Sequence, residues 1–404
     1  MDNKAQSPFS AIKVVECGEG ISAAFGAKML ADLGAEVIKV EPPSGDLARR
    51  RGPFPNHQSD PEKSGIFIYL NANKRGVTAD LGREEGRELL ASLLKGADVL
   101  MHNVAPPRRA ANGLDSIALT EKYPRLIVTS ISMFGTSGPY SNYNGYELTA
   151  SNAGGWAYLS PGASSYPELP PLKCFGSQAD FQGGAHAAIT TLAAYLCRIK
   201  SGRGQAIDVS EQECITAMLE MNLMHYTYAG RETSRLGQRA LGPWFIADCQ
   251  DGKIFLLTVE EDQWQRLVKF MGNPEWASEE LFRDRLSRAQ NMDALKALMS
   301  EWIAGWKVQD LYREAQAQRI PFAPVNTMQQ LYDTPHLAER HFFTEIEQPG
   351  LGRLKVPGMP SRYGETPWAI RRPAPRLGEH NDEVFRELGI PAARLDQLKT
   401  AGVI

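Results

Sequence analysis

Apolar and polar positions alternate along the first two hundred or so residues in blocks that read in turn as strand and helix. Ile12 to Glu16 is a short apolar run and predicts a buried strand. Cys17-Gly18-Glu19-Gly20 predicts a turn, and the Ala- and Leu-rich stretch from Ile21 to Leu33 predicts a helix that Gly34 breaks. Glu36 to Glu41 predicts a second strand, stopped by Pro42, Pro43 and Gly45. A strand, a helix and a strand in that order imply a parallel sheet with a right-handed crossover. Further strands are expected at Ile66–Leu70, Asp98–Met101, Leu126–Ile131 and Gln205–Val209, with an amphipathic helix over Glu84–Leu94. Ahead of the last of these strands, Ala188, Ile189, Leu192, Leu196 and Ile199 recur at three- and four-residue steps, the period of a helix. That helix ends in Arg198, Lys200, Gly202 and Gly204, ordinary C-terminal residues. Asp180 then falls at or just before its N-terminus, beside Gly183 and Gly184, expected to line the site because their missing side chains leave room for a ligand.

The pattern changes after Ser210. Glu211 to Tyr228 predicts a connecting helix of mixed character, with Met218, Met221 and Met224 spaced for packing. Phe245–Asp248 and Lys253–Val259 flank Asp251-Gly252, a hairpin signal. Helices are expected over Asp262–Met271, Asp293–Trp306 and Val308–Gln318. Alternation returns at Phe342–Glu347 and Arg353–Val356, and Leu377 to Asp382 caps a final helical stretch. The implied organisation is a large α/β domain with a parallel sheet whose first part is 1–210, a linker at 211–244, a small α/β domain at 245–331, and at 332–404 a linker and a return to the large domain.

Composition narrows the chemistry. The 404 residues are 43% hydrophobic and 23% charged, as in an ordinary globular protein. A net charge of -3 offers no global attraction for nucleic acid or an acidic membrane surface. An anionic ligand must therefore meet local basic groups: Arg49 to Arg51, Lys74-Arg75, or Arg108-Arg109 in the loop after Asp98–Met101. The five cysteines form no C-x-x-C pair and the histidines show no metal spacing, so no metal site is expected and reduced thiols in a cytoplasmic enzyme fit best. MDNKAQSPFS lacks the apolar core of a secretory signal, and the most apolar run, Ala187 to Cys197, is too short to span a bilayer.

Two readings of candidate chemistry compete. Gly18-x-Gly20-x-x-Ala23, with Glu41 closing the second strand, is a loose dinucleotide fingerprint and would suit an NAD-dependent oxidoreductase. Glu19 would sit as a like charge inside the turn meant for a pyrophosphate, which counts against it. Asp180, in turn, is either a helix N-cap or a nucleophile held near free helix-start amides that favour a developing anion.

Five stretches, in order, resemble class III CoA-transferases, the group of formyl-CoA transferase and carnitine CoA-transferase: LADLGAEVIKVEPPSGD (30–46), NANKRGVTADL (71–81), FGTSGPYSNYNGYE (134–147), SGRGQAIDVS (201–210) and LGEHNDEVFRELGI (377–390). The resemblance implies that CoA moves from an acyl-CoA donor to an organic acid acceptor through an aspartyl mixed anhydride and an aspartyl-CoA thioester. It implies Asp180 as the nucleophile, Tyr146 and Glu147 beside the acyl group, and Lys74, Arg75 and Asn103 around CoA. Arg108 or Arg109 replaces a family arginine missing from the Asn103 loop. No permanently bound cofactor is implied, and CoA thioester is the substrate. The fold implied is Rossmann-like, interrupted by a small domain, with two chains interlocked as a homodimer; a heteromeric transferase subunit is an alternative. The α-methylacyl-CoA racemase branch of the same fold is the closest rival, but its histidine base falls where this chain has Tyr146. The aligned positions also depart from formyl-CoA transferase at Ile21, where that enzyme has glutamine, and between Tyr228 and Trp244, where only Gly230, Gly237 and Gly242 stand in place of a glycine-rich lid.

Overall fold

The computed structural model describes residues 7–162, 166, 168–236 and 242–404. The MDNKAQ stretch, Gly237 and part of the proline- and serine-rich 160–171 loop lie outside the described residues. The chain divides into two compact units. One contains Met1–Ser160, Pro171–Thr233 and His341–Ile404; the other contains Pro161–Pro170 and Ser234–Arg340.

The large unit is built on a six-stranded parallel sheet. Its strands are β1 (Lys13–Cys17), β2 (Glu36–Glu41), β3 (Lys74–Thr78), β4 (Val99–His102), β5 (Ile127–Ser132) and β6 (Ala206–Ser210), in the order β3-β2-β1-β4-β5-β6. Successive strand residues bury on opposite faces, as the pleat requires. Val15, Val40, Val77, Leu100 and Val128 enter one core with Leu89, Leu90, Leu93 and Leu94 of helix Glu84–Leu94. Val14, Val37, Val99 and Ile127 enter the other with Ala23, Ala27 and Leu30 of helix Ser22–Asp32 and Ala187 and Ala194 of helix Gln178–Ser201. The strand order reverses direction at β1/β4, and in such sheets ligands bind outside the strand C-termini at that point.

One element differs from its sequence expectation. Ile66–Leu70 was expected as a strand, but Gly65–Asn71 is a helix. Ser64 caps it, its hydroxyl accepting from the Phe67 amide at 3.2 Å. A short apolar run carries no period of its own, so a well-placed cap decides. The strand comes just afterwards, as the basic β3. Its outer edge is paired by the end of the chain. The Gly76 amide donates to His380 Nδ1 at 3.1 Å, and the Thr78 amide donates to Asn381 Oδ1 at 2.8 Å. Around them, the Asn73 amide donates to the Arg372 carbonyl and the Asp80 amide to that of Val403.

The segment 211–233, expected as a linker with a connecting helix over Glu211–Tyr228, holds two helices, Glu211–Ala217 and Glu220–Ala229, and belongs to the large unit. Met218, Met221 and Met224 are exposed there rather than packed in a core. The small unit is a three-stranded antiparallel sheet of β7 (Trp244–Cys249), β8 (Gly252–Leu257) and β9 (Phe322–Pro324). Its core draws Trp264, Leu267, Leu295, Met299 and Leu311 from three helices and Phe245, Ile254 and Leu256 from the sheet. A second hairpin, β10 (Phe343–Gln348) and β11 (Gly352–Pro357), returns to the large unit. Among the described residues no helix is long and apolar enough to cross a membrane.

Candidate active site

The loop after β1 is held rigidly by side chains from neighbouring elements. The Glu19 amide donates to Asn103 Oδ1 at 2.9 Å, and Asn103 Nδ2 donates back to the Glu19 carbonyl at 2.7 Å. The Gly20 amide donates to Asp46 Oδ1 at 2.7 Å. These amides would have to cradle a dinucleotide pyrophosphate, and both are already taken. Glu41, which would hold the ribose, is fully buried in a two-pronged pair with Arg49, at 2.7 and 2.8 Å. The Gly18–Gly20 fingerprint is a structural turn, which argues against the oxidoreductase reading.

Beyond this loop lies a cavity of about 820 Å³ outside the C-terminal ends of β1, β4, β5 and β6. Asp180 faces it from the first turn of helix Gln178–Ser201. The capping position belongs to Ser177, so Asp180 is not the N-cap. Its carboxyl is pushed up to about 6, first by burial and then by the negative charge of Glu147. Arg51 and hydrogen bonds from Glu211 and Ser177 oppose the rise. Glu147 begins helix Glu147–Ala153, accepts from Ser151 Oγ at 2.9 Å and pairs with Lys173 at 2.9 Å. Glu211, the first residue of helix Glu211–Ala217, completes a trio of carboxyl groups on the cavity wall. It is 1% exposed, and burial followed by the Asp180 charge raises it to about 8.

The expected site residues separate into two groups. Asp180, Tyr146, Glu147, Asn103 and Arg108 line the cavity, with Tyr146 80% exposed at its mouth. Lys74, Arg75, Arg109, Gly183 and Gly184 do not. Lys74 and Arg75 sit at the N-terminal end of β3, away from the strand ends that face the cavity. Lys74 is completely buried, donating to Glu16 Oε2 at 2.8 Å, the Ala24 carbonyl at 2.8 Å and Asn71 Oδ1 at 2.9 Å. Arg75 is spent on Glu36, Glu383 and Glu387. Arg109 turns inward, its Nε donating to the Val104 carbonyl at 2.7 Å. The two glycines admit neighbouring elements rather than a ligand. A Cβ on Gly184 would stand 2.5 Å from the Ser22 carbonyl oxygen, and one on Gly183 2.8 Å from Glu211 Cγ.

Glu211 and Arg51 were missed as site residues. Arg51 was not singled out from the basic run Arg49 to Arg51, and Glu211 read as the start of a connector. Glu211 follows a parallel strand directly, and that position was its available signal. Among the described residues no group of three or more His, Cys, Asp or Glu is placed to hold a metal ion.

Residues 9–381 match the family described as CoA-transferase family III. The chain is 32% identical to the succinyl-CoA:(R)-benzylsuccinate CoA-transferase subunit BbsE of Thauera aromatica, over 98% of each chain. It is 30% identical to the succinate–glutarate CoA-transferase of Agrobacterium fabrum, over 94% of this chain and 96% of that one. Among solved structures, a CAIB/BAIF family protein from Brucella suis superposes with a TM-score of 0.83 at 30% identity, covering 95% of this chain and 99% of the other. The match takes in the whole parallel sheet and every wall of the cavity, and the chain belongs to CoA-transferase family III.

Proposed function

We propose that the protein moves CoA from an acyl-CoA thioester to a carboxylic acid, with Asp180 as the nucleophile. The observation that carries this reading is the Asp180 carboxylate, partly desolvated at a helix start and facing a cavity outside the strand C-termini. A carboxylate oxygen of Asp180 attacks the thioester carbonyl, a C–O bond forms, the C–S bond breaks and CoA leaves as thiolate. The thiolate then attacks the aspartyl carbonyl of the mixed anhydride and releases the donor acid. The acceptor carboxylate repeats the two steps in reverse order and leaves as the new acyl-CoA.

Positive charge for the CoA phosphates comes from Arg108 and Arg51, both exposed at the cavity. Arg108 thus stands in for the missing family arginine, since Arg109 is committed elsewhere. Glu147 and Tyr146 border the acyl group. Succinyl-CoA is the first donor to test, because the names of several relatives carry it. Ile189, Leu196 and Ile199 on helix Gln178–Ser201 are exposed, as are Met221 and Tyr228 on helix Glu220–Ala229, which fits burial against a second copy in a dimer. The five free cysteines suit a reducing compartment such as the cytoplasm.

The test is mass spectrometry of protein mixed with succinyl-CoA and trapped with hydroxylamine. Modification at Asp180, and loss of transfer in Asp180→Ala, are the expected results. An adduct confined to another residue, or transfer surviving in the variant, overturns the assignment.

A further inference from the structure

Glu211 is the most buried acid of the site, and the Ser22 hydroxyl donates to it. Its Oε2 atom is buried with no hydrogen-bond partner among the described residues, although Glu211 lines the cavity. Ionisation would leave that oxygen a buried acceptor without a donor, a costly arrangement. The Glu211 and Asp180 carboxyls face each other within hydrogen-bonding reach. As two carboxylates neither could donate to the other. A single proton on Glu211 gives the pair a donor, and the two carboxyls can then share a hydrogen bond.

The packing holds this arrangement in place. Helix Glu211–Ala217 starts immediately after β6, with the Ser210 hydroxyl accepting from the Glu213 amide at 3.3 Å. The absence of a side chain at Gly183 lets Glu211 lie against helix Gln178–Ser201, its Cγ 2.8 Å from where a Cβ would be. The charged and titratable groups around it are Asp180 from that helix, Glu147 from helix Glu147–Ala153, and Cys214 on its own helix. Ser22 of helix Ser22–Asp32 supplies a hydroxyl. Cations approach the other acids instead: Lys173 pairs with Glu147, and Arg51 acts on Asp180. Among the described residues, no cation is one of the groups that chiefly act on Glu211.

We infer that Glu211 is a second catalytic residue, a protonated acid whose O–H donates to the Asp180 carboxyl and stabilises the charge that builds there when CoA thiolate attacks. The inference rests on the Asp180 mechanism above. During thiolate attack on the mixed anhydride, a C–S bond forms at the Asp180 carbonyl carbon and its oxygen becomes an oxyanion. The C–O bond to the donor acyl group then breaks and the donor acid departs as carboxylate. Glu211 keeps its proton throughout, so each step balances without an external acid. The donor serves the aspartyl carbonyl, the one reacting carbonyl that belongs to the enzyme and is present in every turnover whatever acid is transferred.

The decisive experiment compares wild type, Glu211→Gln and Glu211→Ala, using succinyl-CoA as donor and a carboxylic acid panel as acceptors. Each is followed by the rate of Asp180 adduct formation and by transfer across pH. Wild type loses activity as pH rises through about 8, because Glu211 then ionises. Glu211→Gln keeps a neutral N–H donor, so it retains most activity and that alkaline limb disappears. Glu211→Ala loses about 100-fold in rate at unchanged thermal stability, the usual effect of removing one oxyanion donor. An unchanged alkaline limb in Glu211→Gln, or wild-type rates in Glu211→Ala, overturns the inference while leaving the transferase reading intact. Infrared difference spectra of the resting protein across about pH 8 give an answer independent of turnover. A protonated-carboxyl band that shifts in Asp180→Asn and vanishes in Glu211→Gln supports the shared proton, and its absence from wild type overturns it. Should wild type show no adduct and no transfer, the Asp180 mechanism fails, and the infrared result still decides the state of Glu211.

Discussion

A positive side chain near a phosphate ligand and one inside a sheet look alike in a sequence, and Arg108 and Lys74 show what separates them. Arg108 stands exposed at the cavity, whereas Lys74 is sealed among Glu16, Asn71 and a backbone carbonyl, with its ammonium lowered to about 8 by burial. Their substitutions should therefore fail differently. Arg108→Ala is expected to raise the KM for acyl-CoA about 5-fold with little change in melting temperature, as befits one solvent-screened contact. Lys74→Met is expected to leave that KM alone and to cost about 2 kcal/mol of stability, because Glu16 Oε2 and Asn71 Oδ1 lose their buried donor while Lys39 still holds Glu16 Oε1. Steady-state kinetics and denaturant unfolding of the two variants check both outcomes. Asp180 could be singled out in the sequence because a helix start, paired glycines and flanking motifs converge on it, and it faces the cavity. Glu211 was not, since its character comes from burial and from a neighbour 31 positions earlier in the chain (211 against 180).

Elements were easier to read than their contacts. The strand–helix–strand opening, helix Glu84–Leu94, the small-unit hairpin and the long helix after Asp180 all fall within a residue or a few of their expected bounds, apart from the start of the long helix. Strong periodicity or a turn residue marks each of them. Gly65–Asn71 escaped because seven residues do not reveal a period, and its cap is a single hydroxyl. The glycines of helix Gln178–Ser201 were legible as important but not in their purpose. Gly184 lets that helix approach helix Ser22–Asp32 until its missing Cβ would be 2.5 Å from a carbonyl oxygen. Gly184→Ala should therefore separate the two helices, cost about 2 kcal/mol through overpacking, and displace Asp180 from its neighbours. A lower melting temperature together with a fall in kcat checks this, since a merely local strain would leave kcat alone.

At the scale of the whole molecule, charge inside the core sets its tolerance of acid. His102 ends β4 fully buried, neither ring nitrogen hydrogen-bonded among the described residues, and burial and the Arg109 charge lower it to about 3. An unfolded histidine protonates near about 6.5, so between there and about 3 the unfolded chain binds a proton that the native one refuses. Stability should thus fall as pH falls through that window, by about 1.4 kcal/mol per unit from this group. Denaturant midpoints measured from pH 7 downward should show a shallower decline in His102→Leu than in wild type. The large unit is also assembled from three separated stretches of chain, and its edge strand β3 is completed by His380 and Asn381. A ribosome delivers β3 more than three hundred residues before those partners (76 against 380). Through most of synthesis, then, the nascent sheet carries an open, hydrogen-bond-hungry border, the kind that recruits strangers.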